Sequence, residues 1–216
     1  LENVVARLLD DFGARIIVLI DTMAESHQFP FTVLYFFDEC GNMADIADMI
    51  EQGWDVAIGH GNGPQVGYIL RRSEIAAKTA GMHEVPLDVC GADSQGAIGY
   101  SLQQNLQNIL YQRGIKKKVV TVITQVLVDK ADPAFSKPTK PIGSFMDQAE
   151  AERRQREQGW TVVEDAGRGW RRVVASPLPK EIVEFESVKT LIDAGTIVIT
   201  VGGGGIPVID TGNGEY

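Results

Sequence analysis

Nine consecutive residues, Gly59-His60-Gly61-Asn62-Gly63-Pro64-Gln65-Val66-Gly67, combine the features of an anion site. Glycines let the backbone approach a ligand closely, and a helix amino end offers free N–H groups to negative charge. Asn62 and Gln65 add uncharged hydrogen-bonding side chains. A tight strand-to-helix turn without a ligand is the alternative, since glycine turns are common in any α/β protein. The string is not a Walker A loop, because no Gly-Lys-Ser/Thr follows, and Val66 breaks the G-x-G-x-x-G dinucleotide pattern.

Val201-Gly202-Gly203-Gly204-Gly205-Ile206-Pro207-Val208 is the second candidate. Four ordered glycines are entropically costly, which points to close backbone approach. The alternative is a flexible exit from a strand. The third is Pro138-Thr139-Lys140-Pro141-Ile142-Gly143, where prolines restrict the backbone around Lys140. A lysine is a point charge suited to a transferring phosphoryl group, although a loop lysine taken alone is usually just solvated. The fourth is Glu164-Asp165-Ala166-Gly167-Arg168-Gly169-Trp170-Arg171-Arg172, whose arginines either bind phosphate or pair with Glu164 and Asp165. In Cys90-Gly91-Ala92-Asp93-Ser94-Gln95-Gly96, Asp93 or Ser94 either caps a helix or reaches a site. Gln65, Ser94 and Arg168 are therefore candidate supporting residues. His27, His60 and His83 fall in no triad motif, and two lone thiols, Cys40 and Cys90, make no zinc site, so no resident metal is expected.

These residues need elements to position them. Residues 42–52 read as an amphipathic helix, with Asn42 as its cap and Met43, Ile46, Met49 and Ile50 on one stripe. A buried strand over Trp54–Ile58, the turn His60–Gly63 and a helix from Pro64 to about Ala80 follow. The order repeats. Ala92–Arg113 reads as a helix, Lys118–Val128 as a strand, Lys180–Ala194 as a helix and Thr196–Val201 as a strand. Alternating strands and helices imply an α/β fold, a three-layer αβα sandwich around a mainly parallel sheet. Ligands in such folds bind beyond the carboxyl ends of strands, where both glycine turns fall. Residues 129–176 break the alternation with Pro133, Pro138 and Pro141, the charged run Glu150–Glu157, and short strands over Thr161–Glu164 and Arg171–Val174. They read as an inserted projecting lobe between two segments, 1–128 and 177–216, of one substrate-binding domain.

The chain of 216 residues carries 20 Lys and Arg against 29 Asp and Glu, a net charge of −9. That balance disfavours nucleic acid and anionic membranes as partners, yet leaves room for a positive pocket. No apolar run reaches membrane-span length, two cysteines fit a reducing compartment, and no secretory signal is visible, so a cytoplasmic setting is expected.

Together, and in this order, the motifs closely resemble carbamate kinases of the amino acid kinase family. The matching strings are HGNGPQVG (60–67), PLDVCGADSQGAIGY (86–100), TQVLVDKADPAFSKPTKPIGSF (124–145), EDAGRGWRRVVASP (164–177) and VGGGGIPV (201–208). The resemblance implies a homodimer and reversible phosphoryl transfer between ATP and carbamate, giving ADP and carbamoyl phosphate. In fermentative arginine breakdown the family runs toward ATP, with Mg2+ carried by the nucleotide. Carried over by motif, Gly61, Asn62 and Gly63 hold carbamate or the transferred phosphate. Gly203, Gly204 and Gly205 line the same site, and Lys140 closes over carbamoyl phosphate as the catalytic cation. The strings PTKPIG and EDAGRGWRRVV argue against an acetylglutamate or aspartate kinase.

The sequence also departs from the family. The expected first strand, Arg15–Ile20, runs into Asp21-Thr22 where the family has Gly-Gly-Asn, which sets a negative charge against phosphate. Residues 21–41, with the apolar run Phe29–Phe37, do not match, and Asp93 stands where the family has an apolar residue. Nothing matches the family's later Ile-Asp-Lys-Asp motif and most of its adenine site. The expectation is a chain with the carbamate half and the lobe but not the nucleotide half. The alternative is an inactive or truncated member that binds a small anion or dimerises with an intact paralogue. A half-covered sheet would then expose an apolar patch on Thr196–Val201.

Overall fold

The computed structural model describes residues 42–216, together with the backbone of two strands, Ile16–Ile20 (β1) and Leu34–Phe36 (β2). β1 occupies the place expected for the first strand. Most of the divergent stretch 21–41, including Asp21, Thr22 and Cys40, lies outside the described residues, as does the side chain of Asn42.

Helix α1 (Asn42–Glu51) leads into β3 (Val56–His60), and helices α2 (Gln65–Ala80) and α3 (Leu87–Gln112) follow. Strands β4 (Val119–Thr121) and β5 (Gln125–Val128) come next. After them stand the short α4 (Pro133–Ser136), β6 (Lys140–Met146), α5 (Gln148–Gln158), β7 (Thr161–Glu164) and β8 (Trp170–Val174). The chain then forms β9 (Pro179–Ile182), α6 (Phe185–Asp193), β10 (Ile197–Ile199), a 3₁₀ turn over Gly202–Gly204, and β11 (Ile206–Val208).

The main sheet runs β2-β1-β3-β10-β4, and every pairing in it is parallel. Its two faces carry separate cores, which is what strand alternation requires. Val56, Ile58, Ile197 and Ile199 join Met43, Ile46 and Ile50 of α1 and Leu102, Leu106 and Leu110 of α3. Ala57 and Val198 point the other way, toward Val188 and Ile192 of α6 and Val126, Val128 and Ile182 of a second sheet ordered β11-β5-β9. The αβα sandwich is thus held by two-sided burial of β3 and β10.

Several boundaries differ from the expected ones, each for a local reason. Helix α3 begins at Leu87, five residues early, because Gly91 is a packing position inside it rather than a break: a Cβ there would touch Ile206 at 3.7 Å. The strand expected over Lys118–Val128 is two strands in two sheets, since Thr124 leaves the main ladder and is held by Gln95 of α3. The helix expected from Lys180 begins only at Phe185. Residues before it pair antiparallel with β5 and bury Ile182, and Glu184 accepts bonds from the Gln125 backbone (2.8 Å) and side chain (2.9 Å). The exposed apolar patch expected on Thr196–Val201 is absent, because β10 lies between β3 and β4 with all three of its residues buried.

Residues 129–176 carry their own antiparallel sheet, β6-β8-β7, and helix α5. The prolines around Lys140 suggest a loop, yet the segment is strand β6. β6 is an edge strand, the place in a sheet where a proline such as Pro141, opposite Val173, is tolerated. The charged run is helix α5, capped by Asp147, which accepts from the Glu150 N–H at 2.8 Å, and closed by Gly159 at φ +66°. Arg153 pairs with Glu150 and Glu157 along one face, and this holds the Glu150 carboxyl down at about 2.

Candidate active site

The first glycine turn leaves the carboxyl end of β3, and helix α2 starts at Gln65 after a cis Gly63–Pro64 bond. The second leaves the neighbouring strand β10. Parallel pairing of β10 with β3 therefore delivers both turns to the same sheet edge, the place where open α/β sheets take ligands.

The two turns interlock. The Asn62 side chain donates to Ser94 Oγ at 3.1 Å, and Ser94 in turn donates to the Gly91 carbonyl at 2.7 Å. A Cβ on Gly203, which sits at φ +65°, would fall well inside contact distance of the Asn62 amide. A Cβ on Gly202 would meet the His60 ring at 2.5 Å and Gln95 Cγ at 2.9 Å. Glycine is required at both positions by close approach. The buried His60 ring shares a bond of 2.8 Å with the Gly61 carbonyl, and burial pulls its pKa below the usual 6.5, so the neutral ring is favoured.

A buried polar chain underlies the second turn. Gln95 accepts from the Thr124 N–H at 2.8 Å and donates to the Thr124 carbonyl at 3.1 Å. The Thr124 hydroxyl contacts the Val122 carbonyl (2.8 Å), the Thr200 hydroxyl (2.8 Å) and the Val201 N–H (3.0 Å). Val201 itself is held at φ +48°, a conformation β-branched residues rarely adopt, and such strain clusters at functional sites. Sequence reading does not single out Gln95, Thr124 and Thr200; their only signal is their place within or beside the matched strings.

A cavity of about 580 Å³ opens between the first glycine turn with α2 and the lobe strand β6. Asn62, Gly63 and Lys140 line it, with Arg71 of α2 and Arg171 of β8. Lys140, from β6, is thereby brought opposite two of the three residues of the first turn. No Asp or Glu is among its lining residues, although the chain carries −9 overall. Among the described residues, none of Lys140, Arg71 and Arg171 has a carboxylate within ion-pair distance; every resolved pair uses other cations. Tyr68, Leu70, Leu87, Ile142 and Phe145 supply apolar wall that raises the effect of those charges.

Gly61, Gln65, Ser94 and Gly203–Gly205 are not among the residues of its wall. Gln65 Oε1 is buried with no hydrogen-bond partner in the structure, which leaves an acceptor available next to the turn. Gly205, at φ +86°, packs on Val126, where a Cβ would come within 2.5 Å. Arg168 is not brought to the cavity. The tight β7–β8 turn, closed by Asp165 N–H to Gly169 carbonyl at 2.8 Å, sets its guanidinium on Asp165 at 2.8 Å instead. It is Arg171, three residues on, that reaches the cleft.

Among the described residues no three metal-ligating side chains converge, and no helix is long and apolar enough to cross a membrane. No protein-family model matches the chain. Carbamate kinase of Pyrococcus furiosus is 57% identical over 164 residues, which is 76% of this chain and 52% of that protein. A carbamate kinase-like protein of Escherichia coli is 60% identical over 169 residues, 78% of this chain and 54% of that protein. The chain thus spans about half the length of the curated relatives it matches. Among solved structures, carbamate kinase from Giardia lamblia bound to AMP-PNP superposes with a TM-score of 0.76 at 38% identity, covering 91% of this chain and 67% of that one. Shared sequence, shared fold and the same ordered motifs agree: the chain belongs to the carbamate kinase family.

Proposed function

We propose that this chain forms the carbamate and carbamoyl-phosphate side of a carbamate kinase, which transfers a phosphoryl group reversibly between ATP and carbamate. The observation that carries this reading is the cavity in which Lys140, Arg71 and Arg171 face Asn62 and Gly63 with no carboxylate in the wall. Such a site selects a small anion on an otherwise acidic protein.

Phosphoryl transfer needs positioning and positive charge more than a covalent nucleophile. In the direction of ATP formation, a terminal oxygen of ADP attacks the phosphorus of carbamoyl phosphate, and the bond from phosphorus to the carbamate oxygen breaks. Asn62 and the glycine backbone of the first turn orient the acyl phosphate; Ser94 fixes Asn62, Gly203 of the second turn packs against it, and Gln65 offers a buried acceptor beside it. Lys140 stabilises the charge spread over the transferring group. ATP and ADP are substrates here, and Mg2+ enters with them and offsets phosphate charge. We take residues 1–128 and 177–216 as the domain that carries the turns, and residues 129–176 as the projecting lobe that lowers Lys140 onto the substrate. The same reading includes a homodimer and a place in fermentative arginine breakdown, both inferred from family resemblance, and a cytoplasmic setting inferred from the cysteine content and the sequence's lack of a visible secretory signal.

Asp21-Thr22, directly after β1, favours a second reading: a family member that binds the anion without turnover, or pairs with an intact paralogue. The test is ATP formation from ADP, carbamoyl phosphate and Mg2+ by the purified chain. Turnover that falls about 100-fold or more in Lys140→Ala supports the first reading. A folded chain that binds carbamoyl phosphate without forming ATP supports the second.

A further inference from the structure

The lobe brings a second cation to the cavity that the family resemblance does not assign. Arg171 and Arg172 are neighbours on β8, and successive strand residues point to opposite faces. Arg172 is engaged on one face: its guanidinium lies 4.4 Å over the Trp160 ring, and Glu74 and Glu84 supply opposing charge. Arg171 lines the cavity on the other.

Arg171 is incompletely partnered. Its Nη2 donates to the Gly143 carbonyl at a long 3.3 Å, its Cζ lies 5.0 Å from the centre of the Phe145 ring, and its Nε is buried with no acceptor. A buried charged donor without a partner is costly and asks for an explanation. The local backbone supplies one. Register with β8 shifts between Ile142 and Met146, so Gly143, Ser144 and Phe145 bulge opposite the single residue Arg171, with Gly143 at φ +70°. Bulges re-aim side chains beside active sites. Here the bulge opens the sheet next to Arg171 and places Gly143, Ser144, Phe145 and Arg171 along the cavity wall.

We propose that Arg171 is a substrate-binding residue that grips the same oxyanion as Lys140, its planar fork taking two oxygens where lysine offers a point charge. The proposal rests on the reading of the cavity as the acyl-phosphate site. A turn of the guanidinium off the Phe145 face exchanges the long carbonyl bond and the orphaned Nε for charge-assisted bonds to the anion. Specificity for a group with two coplanar oxygens follows from this geometry, and Lys140 alone would not supply it.

Acetyl phosphate, an acyl phosphate of the same charge, is the probe, titrated calorimetrically into the full 216-residue chain. Arg171→Gln is expected to weaken binding at least about tenfold, and Arg171→Lys to fall between it and the unaltered chain. Lys140→Gln reports on the cavity independently. Thermal unfolding of each variant confirms folding, and Arg171→Lys keeps the stem and charge should Arg171→Gln fail to fold. Binding weakened by Lys140→Gln but unchanged in both Arg171 variants overturns the role of Arg171 and leaves the cavity reading in place. No binding to the unaltered chain overturns both.

Discussion

Gly203→Ala separates close approach from backbone strain, because a matched control lies elsewhere in the chain. Gly203 and Gly81 share a φ of +65°. Gly81 closes α2, and a Cβ added there would meet nothing within 4 Å, whereas at Gly203 the added carbon lands on the Asn62 amide. Gly81→Ala should therefore cost only the left-handed backbone term, ~1–2 kcal/mol. Gly203→Ala carries the same term and also displaces Asn62 from its bond to Ser94, adding ~1–3 kcal/mol. Urea denaturation should show Gly203→Ala as the less stable variant by that difference. Acetyl phosphate binding should weaken at least about tenfold in Gly203→Ala and stay unchanged in Gly81→Ala. Equal losses of stability in the two variants, with equal affinity, would refute the interlock of the two glycine turns.

Thr124→Val keeps the shape of the buried side chain but removes the hydroxyl shared by Val122, Thr200 and Val201, and should cost about 3 kcal/mol by thermal unfolding, with Thr124→Ser close to the unaltered chain. Burial depresses the His60 pKa, so the stability this residue supports is complete above its usual 6.5 and is lost as pH falls below that value toward the folded pKa. Urea midpoints between about pH 5 and 7.5 should show that fall, and His60→Gln should flatten it. Gly99→Ala drives a Cβ into Thr121 on β4 and should destabilise the chain by ~1–3 kcal/mol, read by the same denaturation. Gly96→Ala, whose Cβ meets only Ile123 at 3.9 Å, should change stability by less.

The alternation of strand and helix was legible because β3 and β10 are buried on both faces and read as short apolar runs beside amphipathic helices. The glycine turns were legible because glycine has few other uses at the carboxyl end of a buried strand. Other features had no local signal. Strand β6 hides behind Pro138 and Pro141, which an edge position excuses and a sequence pattern cannot reveal. Residues 180–182 look helical until pairing with β5 claims them. Arg168 and Arg171 are indistinguishable by type. Both lie over the Phe145 ring, and only the hairpin turn, which hands Arg168 to Asp165, and the bulge, which faces Arg171, separate them. The bonds of Gln95 and Thr124 to each other cross 29 positions and depend on two elements meeting.

The central proposal is that this chain supports transfer of phosphoryl rather than only capture of an anion, and phosphorus NMR tests it most directly. Purified chain is mixed with ADP, Mg2+ and carbamoyl phosphate, and the signals are followed against an enzyme-free sample. The expected result is loss of the carbamoyl phosphate signal matched one to one by new ATP, dependent on ADP and lost in Lys140→Ala. Carbamoyl phosphate decaying only at the enzyme-free rate, or going to inorganic phosphate without ADP, would contradict it.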